Sequence, residues 1–233
     1  MTLPRVLLIE DDPSLQRFVQ LALEDLPIEL LSCTTVDQAL LALQHAPVAL
    51  LLTDLMLPGR SGLDLLQQLQ REPALRADAR LAVFSAGLLP AVRLQLQALD
   101  VWRMLAKPCS IAELEACVRD ALGAAPTATE PRSDVAAPVA SHFGGNRALY
   151  EAFRASCLPQ FLIDVQTGDT ACEQGDAQAM RRLAHSLKSV LLTLGQPQAA
   201  EQAGALEDRS EQADWTAARP LWQALRQQLQ AMR

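Results

Sequence analysis

The stretch that most constrains this chain is Val48-Ala49-Leu50-Leu51-Leu52-Thr53-Asp54-Leu55-Met56-Leu57-Pro58-Gly59. A near-unbroken apolar run bounded by Pro47 and a Pro-Gly pair reads as a strand buried on both faces of a parallel sheet. Asp54 ends that strand, and a charge there is out of place for packing. In open α/β sheets the carboxyl ends of the strands form the ligand crevice, so Asp54 is expected to face a site.

The flanking segments repeat the pattern. Residues 5–9 read as a buried strand running into Glu10-Asp11-Asp12, and Pro13 and Ser14 open an amphipathic helix through about residue 24. Further strands are expected at 28–31, 48–53, 80–84 and 101–105, and helices at 36–44, 62–71, 90–99 and 111–122. Five strands alternating with five helices predict an α/β domain with a doubly wound, five-stranded parallel sheet. Because parallel strands all point one way, Glu10, Asp11, Asp54, Ser85 and Lys107 should converge at one edge of it. Taken singly, each has an ordinary reading: a strand-end Asp as a turn residue, Ser85 as a helix cap, Lys107 as a solvated turn residue. Together, carboxylates for a Mg²⁺ ion, an ammonium and a hydroxyl around one nucleophilic carboxylate make a set suited to phosphoryl transfer.

At 233 residues, half of them hydrophobic, the chain has room for two small domains. A formal charge of −7 without a basic cluster gives no electrostatic reason for nucleic acid or an anionic membrane as partner. No apolar run approaches the roughly 20 residues that span a bilayer, so no membrane insertion and a cytoplasmic location are expected. Five cysteines without a CxxC pair suit packed, reduced thiols.

From 124 to 140 three prolines and no apolar periodicity predict a flexible linker. Beyond it, leucine- and alanine-rich segments at 147–156, 159–173, 176–194, 197–211 and 215–232 predict an all-α helical bundle. On the third of these, His185, Lys188 and Ser189 share a face at i, i+3 and i+4, and that face is expected to leave the imidazole open to solvent beside an ammonium. A lone helical His is usually a surface or core-edge residue, and His45 and His142 are of that kind.

Residues 1–123 resemble a two-component response-regulator receiver domain, carried by Ile9-Glu10-Asp11-Asp12, Asp54 with Pro58 and Gly62, Ser85-Ala86, and Lys107-Pro108. That resemblance implies a flavodoxin-like fold with Asp54 as phosphoacceptor. It makes Asp11 a direct Mg²⁺ ligand, Glu10 a ligand through water and the Met56 backbone carbonyl a further ligand. Ser85 and Lys107 would hold the phosphate, with Asp12 just outside. Met104 stands where the family usually has an aromatic switch residue, and Trp102, two residues earlier, is expected to supply that surface. Residues 141–233 are similar to a histidine-phosphotransfer (HPt) four-helix-bundle domain, on Gly175-Asp176, Ala184-His185-Ser186-Leu187-Lys188, Gly195 and Leu206-Glu207. The implied roles are His185 as phosphate carrier and Lys188 as its electrostatic support, with Ser189 replacing the commoner Gly and Leu192 a usually small residue.

Both halves in one chain, without a Gly-rich phosphate loop, imply a phosphorelay intermediate and phosphoprotein rather than an enzyme. Asp54 would accept phosphate from a sensor or hybrid histidine kinase, and His185 would exchange it with a receiver domain, its own or another response regulator's. An Asp-nucleophile phosphatase would carry a second Asp at position 56, where Met stands. A receiver-gated interaction module, with no phosphotransfer at His185, is the alternative.

Overall fold

The structure, a computed structural model, describes residues 3–86, 88–123 and 138–232, and divides into two compact units, Met1–Asp134 and Val135–Arg233. Most of the expected linker, 124–137, lies outside the described residues, as does Gly87.

The first unit holds strands β1 (Arg5–Ile9), β2 (Glu29–Cys33), β3 (Leu50–Thr53), β4 (Arg80–Ser85) and β5 (Arg103–Ala106). All pairings are parallel and the order is β2-β1-β3-β4-β5, the doubly wound, flavodoxin-like arrangement expected. Its helices are α1 (Pro13–Ala22), α2 (Val36–His45), α3 (Gly62–Arg71), α4 (Pro73–Arg76), α5 (Pro90–Ala98) and α6 (Ile111–Ala121). The side chains of β3 are buried throughout, as a central strand covered on both faces requires. Leu7, Ile9, Leu51, Leu81 and Val83 pack on one face of the sheet against Val36, Ala39, Leu65, Leu66 and Leu69.

Local chemistry sets the helix starts. Asp12 caps α1 by accepting from the Leu15 amide at 2.8 Å, and Ser61 and Ser110 form capping boxes with Asp64 and Glu113. The one-turn α4 and an offset in β2 were not expected. Glu29–Cys33 is an edge strand with three half-buried or buried and two exposed residues, so its apolar pattern is weak and pairing with β1 decides its register.

The second unit contains α7 (Pro138–Phe143), α8 (Arg147–Gln174), α9 (Ala177–Thr193), α10 (Pro197–Glu211) and α11 (Trp215–Ala231). Residues 138–140, expected in the linker, open α7, whose Phe143 ring meets Tyr150 edge-on at 5.5 Å. The two segments expected at 147–156 and 159–173 are one helix with Pro159 inside it. Pro159 deletes one backbone donor, but Phe153, Cys157 and Phe161 lie on one buried stripe across it, and their packing carries the helix through. Neighbour contacts α8–α9, α9–α10, α10–α11 and α11–α8 close a ring of four helices.

Gly168 on α8 makes the notch for α11. A Cβ there would lie 2.1 Å from Cζ2 of Trp222, whose indole N–H donates to Asp169 at 2.9 Å while Arg226 pairs with the same carboxylate at 3.0 Å. Gly168→Ala should lower the unfolding free energy of this unit by about 1–3 kcal/mol through overpacking; urea titration followed by helical circular dichroism measures it. All five cysteines are reduced thiols, four of them buried. No helix of the described residues is long and apolar enough to cross a membrane.

Candidate functional site

In a parallel sheet the residues just past the strands emerge together, and here they do so around one ammonium. The side chain of Lys107, following β5, is 1% exposed and its Nζ donates to Glu10 Oε2 at 2.5 Å and to Asp54 Oδ2 at 2.6 Å. Asp54 is 2% exposed; its Oδ1 accepts from the amides of Leu55 at 2.5 Å and Met56 at 3.3 Å. Ser85 is buried at the end of β4, and its carbonyl accepts from the Lys107 amide at 3.1 Å. Glu10 is wholly buried; its Oε1 accepts from the Asp12 amide at 3.3 Å.

Four acids, Glu10, Asp11, Asp12 and Asp54, share the influence of that single cation. Burial, only partly offset by Lys107 and reinforced by the Asp54 charge, pushes Glu10 up to about 8. Burial and then the Asp54 charge push Asp11 up to about 6, and burial raises Asp12 against the pull of its hydrogen bond from Leu15. Burial alone would lower Lys107, but the charges of Asp54 and Glu10 overcome it and hold the ammonium above the ordinary lysine range. Lys107 therefore stays charged.

Among the described residues no three His, Cys, Asp or Glu side chains stand ready to hold an ion, since the ammonium sits between Glu10 and Asp54. The donor chemistry nevertheless fits Mg²⁺. Its candidates are hard oxygens, and Glu10 and Asp54 are buried carboxylates that share a single ammonium. Asp11, Glu10, Asp54 and the Met56 carbonyl are the residues in question.

Trp102 is half-buried against two guanidinium groups, with Arg80 at 4.8 Å and Arg103 at 4.4 Å from the ring centroid. Met104 packs against the core.

On the second unit the structure corrects one expectation. The His185 side chain is 5% exposed rather than open to solvent, and Ser189, expected on the same open face, is 1% exposed. The reason is the hairpin of α9 and α10. Residues equally far from Gln196 in sequence face one another: Arg181 pairs with Glu211 at 2.8 Å, His185 Nδ1 with Glu207 Oε1 at 2.7 Å, and the Lys188 side chain passes Gly204. On α10, which packs against α9, the alanines at 199, 200 and 203 are buried.

Glu207 is the contact of His185 that sequence reasoning left without a role; the symmetry about Gln196 is the signal that finds it. Its Oε2 also accepts from Lys188 Nζ at 3.3 Å. Burial would raise Glu207, but the hydrogen bond and charge of His185, then Lys188, outweigh it and hold the carboxyl below its ordinary value. An ionised Glu207 can only accept, so it takes its hydrogen bond from the Nδ1–H of His185. The Nε2 atom of that ring is buried.

A lowered folded-state pKa contributes stability above the unfolded value that is lost as pH falls through the folded one. Wild type should therefore melt above Glu207→Gln at neutral pH, the gap closing below the ordinary carboxylate range; melting curves across pH measure this.

The response regulator receiver domain model matches residues 6–119 and the Hpt domain model matches residues 150–233. The chain is 28% identical over 247 aligned residues to the sensory/regulatory protein RpfC of Xanthomonas campestris pv. campestris, covering 97% of this chain and 33% of that protein. It is also 28% identical over 122 residues to the response regulator protein PilR of Pseudomonas aeruginosa, covering 52% and 27% of the two. The chain thus spans about a third of the length of the curated relatives it matches. Among solved structures, the signal receiver domain of a protein described as a LuxO repressor from Vibrio parahaemolyticus aligns with a TM-score of 0.49 and 25% identity, over 52% of this chain and 90% of that one. This is a two-component signalling chain that joins a response regulator receiver domain to an Hpt domain.

Proposed function

We propose that the chain works as a phosphorelay intermediate in which Asp54 accepts a phosphoryl group from a histidine kinase and His185 exchanges phosphate with a receiver aspartate. The observation that carries this reading is the buried Asp54 carboxylate held 2.6 Å from the Lys107 ammonium, beside Glu10 and Asp11. Asp54 supplies the nucleophilic oxygen and Lys107 offsets charge on the transferred group. The Leu55 and Met56 amides already aim at Asp54 Oδ1 and orient the carboxylate. Asp11, Glu10, Asp54 and the Met56 carbonyl would hold Mg²⁺, which when bound neutralises negative charge on phosphate oxygens. The domain boundaries we adopt are 1–123, a linker at 124–140 and 141–233. The chain makes no phosphoryl donor of its own in this reading, and its partners are a sensor or hybrid kinase and a receiver.

At the second site, Glu207 fixes the His185 tautomer and leaves Nε2 as the atom that would take the phosphoryl group. Lys188 would steady its charge. Because the ring is enclosed, His185 must leave its place against α10 before a receiver reaches it.

That enclosure favours the second reading, a receiver whose phosphorylation governs access to the helical domain without transfer through His185. Labelled phosphate from candidate hybrid kinases separates the two. On full-length Asp54→Ala, acid-labile and base-stable label that disappears in the Asp54→Ala/His185→Gln double variant supports the relay. Label on wild type that is wholly base-labile, with no acid-labile fraction on either wild type or Asp54→Ala, supports the gated module, and label surviving on the double variant overturns both assignments.

A further inference from the structure

A third group touches the Lys107 ammonium: its Nζ lies 4.9 Å from the centroid of the Phe84 ring. Phe84 is 1% exposed on β4, paired in register with Leu105, two residues before Lys107. The other two contacts, Glu10 and Asp54, have further tasks in the reading above, one serving the metal and the other taking the phosphoryl group. The aromatic face neither titrates nor is consumed. A ring face carries negative quadrupole charge, attracts a cation most strongly where water is excluded, and suits a compact ammonium. The chain has two lysines, Lys107 and Lys188, among 20 basic residues, so the point charge at this position stands out against a background of arginine.

We propose that Phe84 is a positioning residue for Asp54 phosphorylation, its ring face holding the Lys107 ammonium at the strand edge when Glu10 and Asp54 turn to other partners. This rests on Asp54 being the phosphoacceptor. The competing account is that Phe84 merely fills the core, and ring fluorination separates the two because it drains the face of negative charge while nearly preserving shape.

The experiment places phenylalanines with one, two and three ring fluorines at position 84 of the full chain and measures base-labile phosphate formed from acetyl phosphate and Mg²⁺. The rate should fall stepwise, by roughly three- to tenfold at the end of the series, as loss of a desolvated cation–π contact implies, with the melting temperature unchanged. In parallel, with no phosphodonor, ε-¹³C-lysine spectra contain two side-chain signals; that of Lys107 should move along the series while that of Lys188 stays fixed. A flat rate series on a chain whose unsubstituted form is labelled overturns the proposal. An unsubstituted chain that takes no label at Asp54 sinks the phosphoacceptor reading instead. The spectra then still decide the contact, a stationary Lys107 signal refuting it.

Discussion

Asp54→Ala should take up no base-labile phosphate from acetyl phosphate, while wild type is labelled under the same conditions. Acetyl phosphate brings no protein surface, so the experiment isolates what the receiver's own residues contribute. The expectation follows from the geometry at Lys107. Of the buried carboxylates at this edge, Glu10 has Oε2 on the ammonium and Oε1 on the Asp12 amide, and Asp12 is committed to capping α1. Asp54 is oriented by two backbone amides in the loop after β3. Removing it leaves Lys107 paired to Glu10 and no comparably oriented nucleophile at the same place. Unchanged far-ultraviolet circular dichroism would show that the loss is chemical. Full labelling of Asp54→Ala would move the acceptor to Asp11 or Glu10 and overturn the assignment.

Gly62→Ala should damage both stability and phosphorylation, through the backbone. A Cβ at position 62 would sit 1.9 Å from the Asp54 carbonyl oxygen and 3.0 Å from Thr53 Oγ1, while the Gly62 amide donates to the Leu55 carbonyl at 3.1 Å. No flexible side-chain end stands in the way, so either the segment carrying Asp54 or the start of α3 must shift. Overpacking of this kind costs about 1–3 kcal/mol, and a backbone partner that cannot rotate aside places this case at or above the upper end. Misplacing a nucleophile by about 1 Å can slow a reaction on the order of 100-fold. Denaturant titration and the acetyl phosphate assay should therefore fail together. Normal stability with normal labelling would mean that α3 accommodates the methyl group without moving Asp54.

The sheet was readable because its signal is redundant. Apolar runs at β1, β3 and β4 end in polar residues and β5 runs into Lys107, and parallel strands force those ends together, so Glu10, Asp54, Ser85 and Lys107 are legible as neighbours from the sequence. What periodicity cannot say is which side of a helix its neighbour will cover. The spacing of His185, Lys188 and Ser189 places them on one face of α9, but only the packed structure shows that His185 and Ser189 are buried there while Lys188 is partly exposed. Glu207 was visible as part of a resemblance and acquired a role only when the hairpin set it against Nδ1. Phe84 ends the strand expected at 80–84 and is buried; its contact with Lys107 depends on the reach of that side chain. The separate segments expected at 147–156 and 159–173 are one helix because a buried stripe spans Pro159, which local spacing does not reveal.

One amine joins three strands of the receiver sheet, since Lys107 follows β5, Glu10 follows β1 and Asp54 follows β3. β5 is one of the two edge strands and is paired only with β4 among the described residues. Phosphorylation of Asp54, as proposed, would replace one of the two carboxylate contacts that hold this margin. Amide hydrogen exchange along Arg103–Ala106, with and without acetyl phosphate, is the natural gauge of that change.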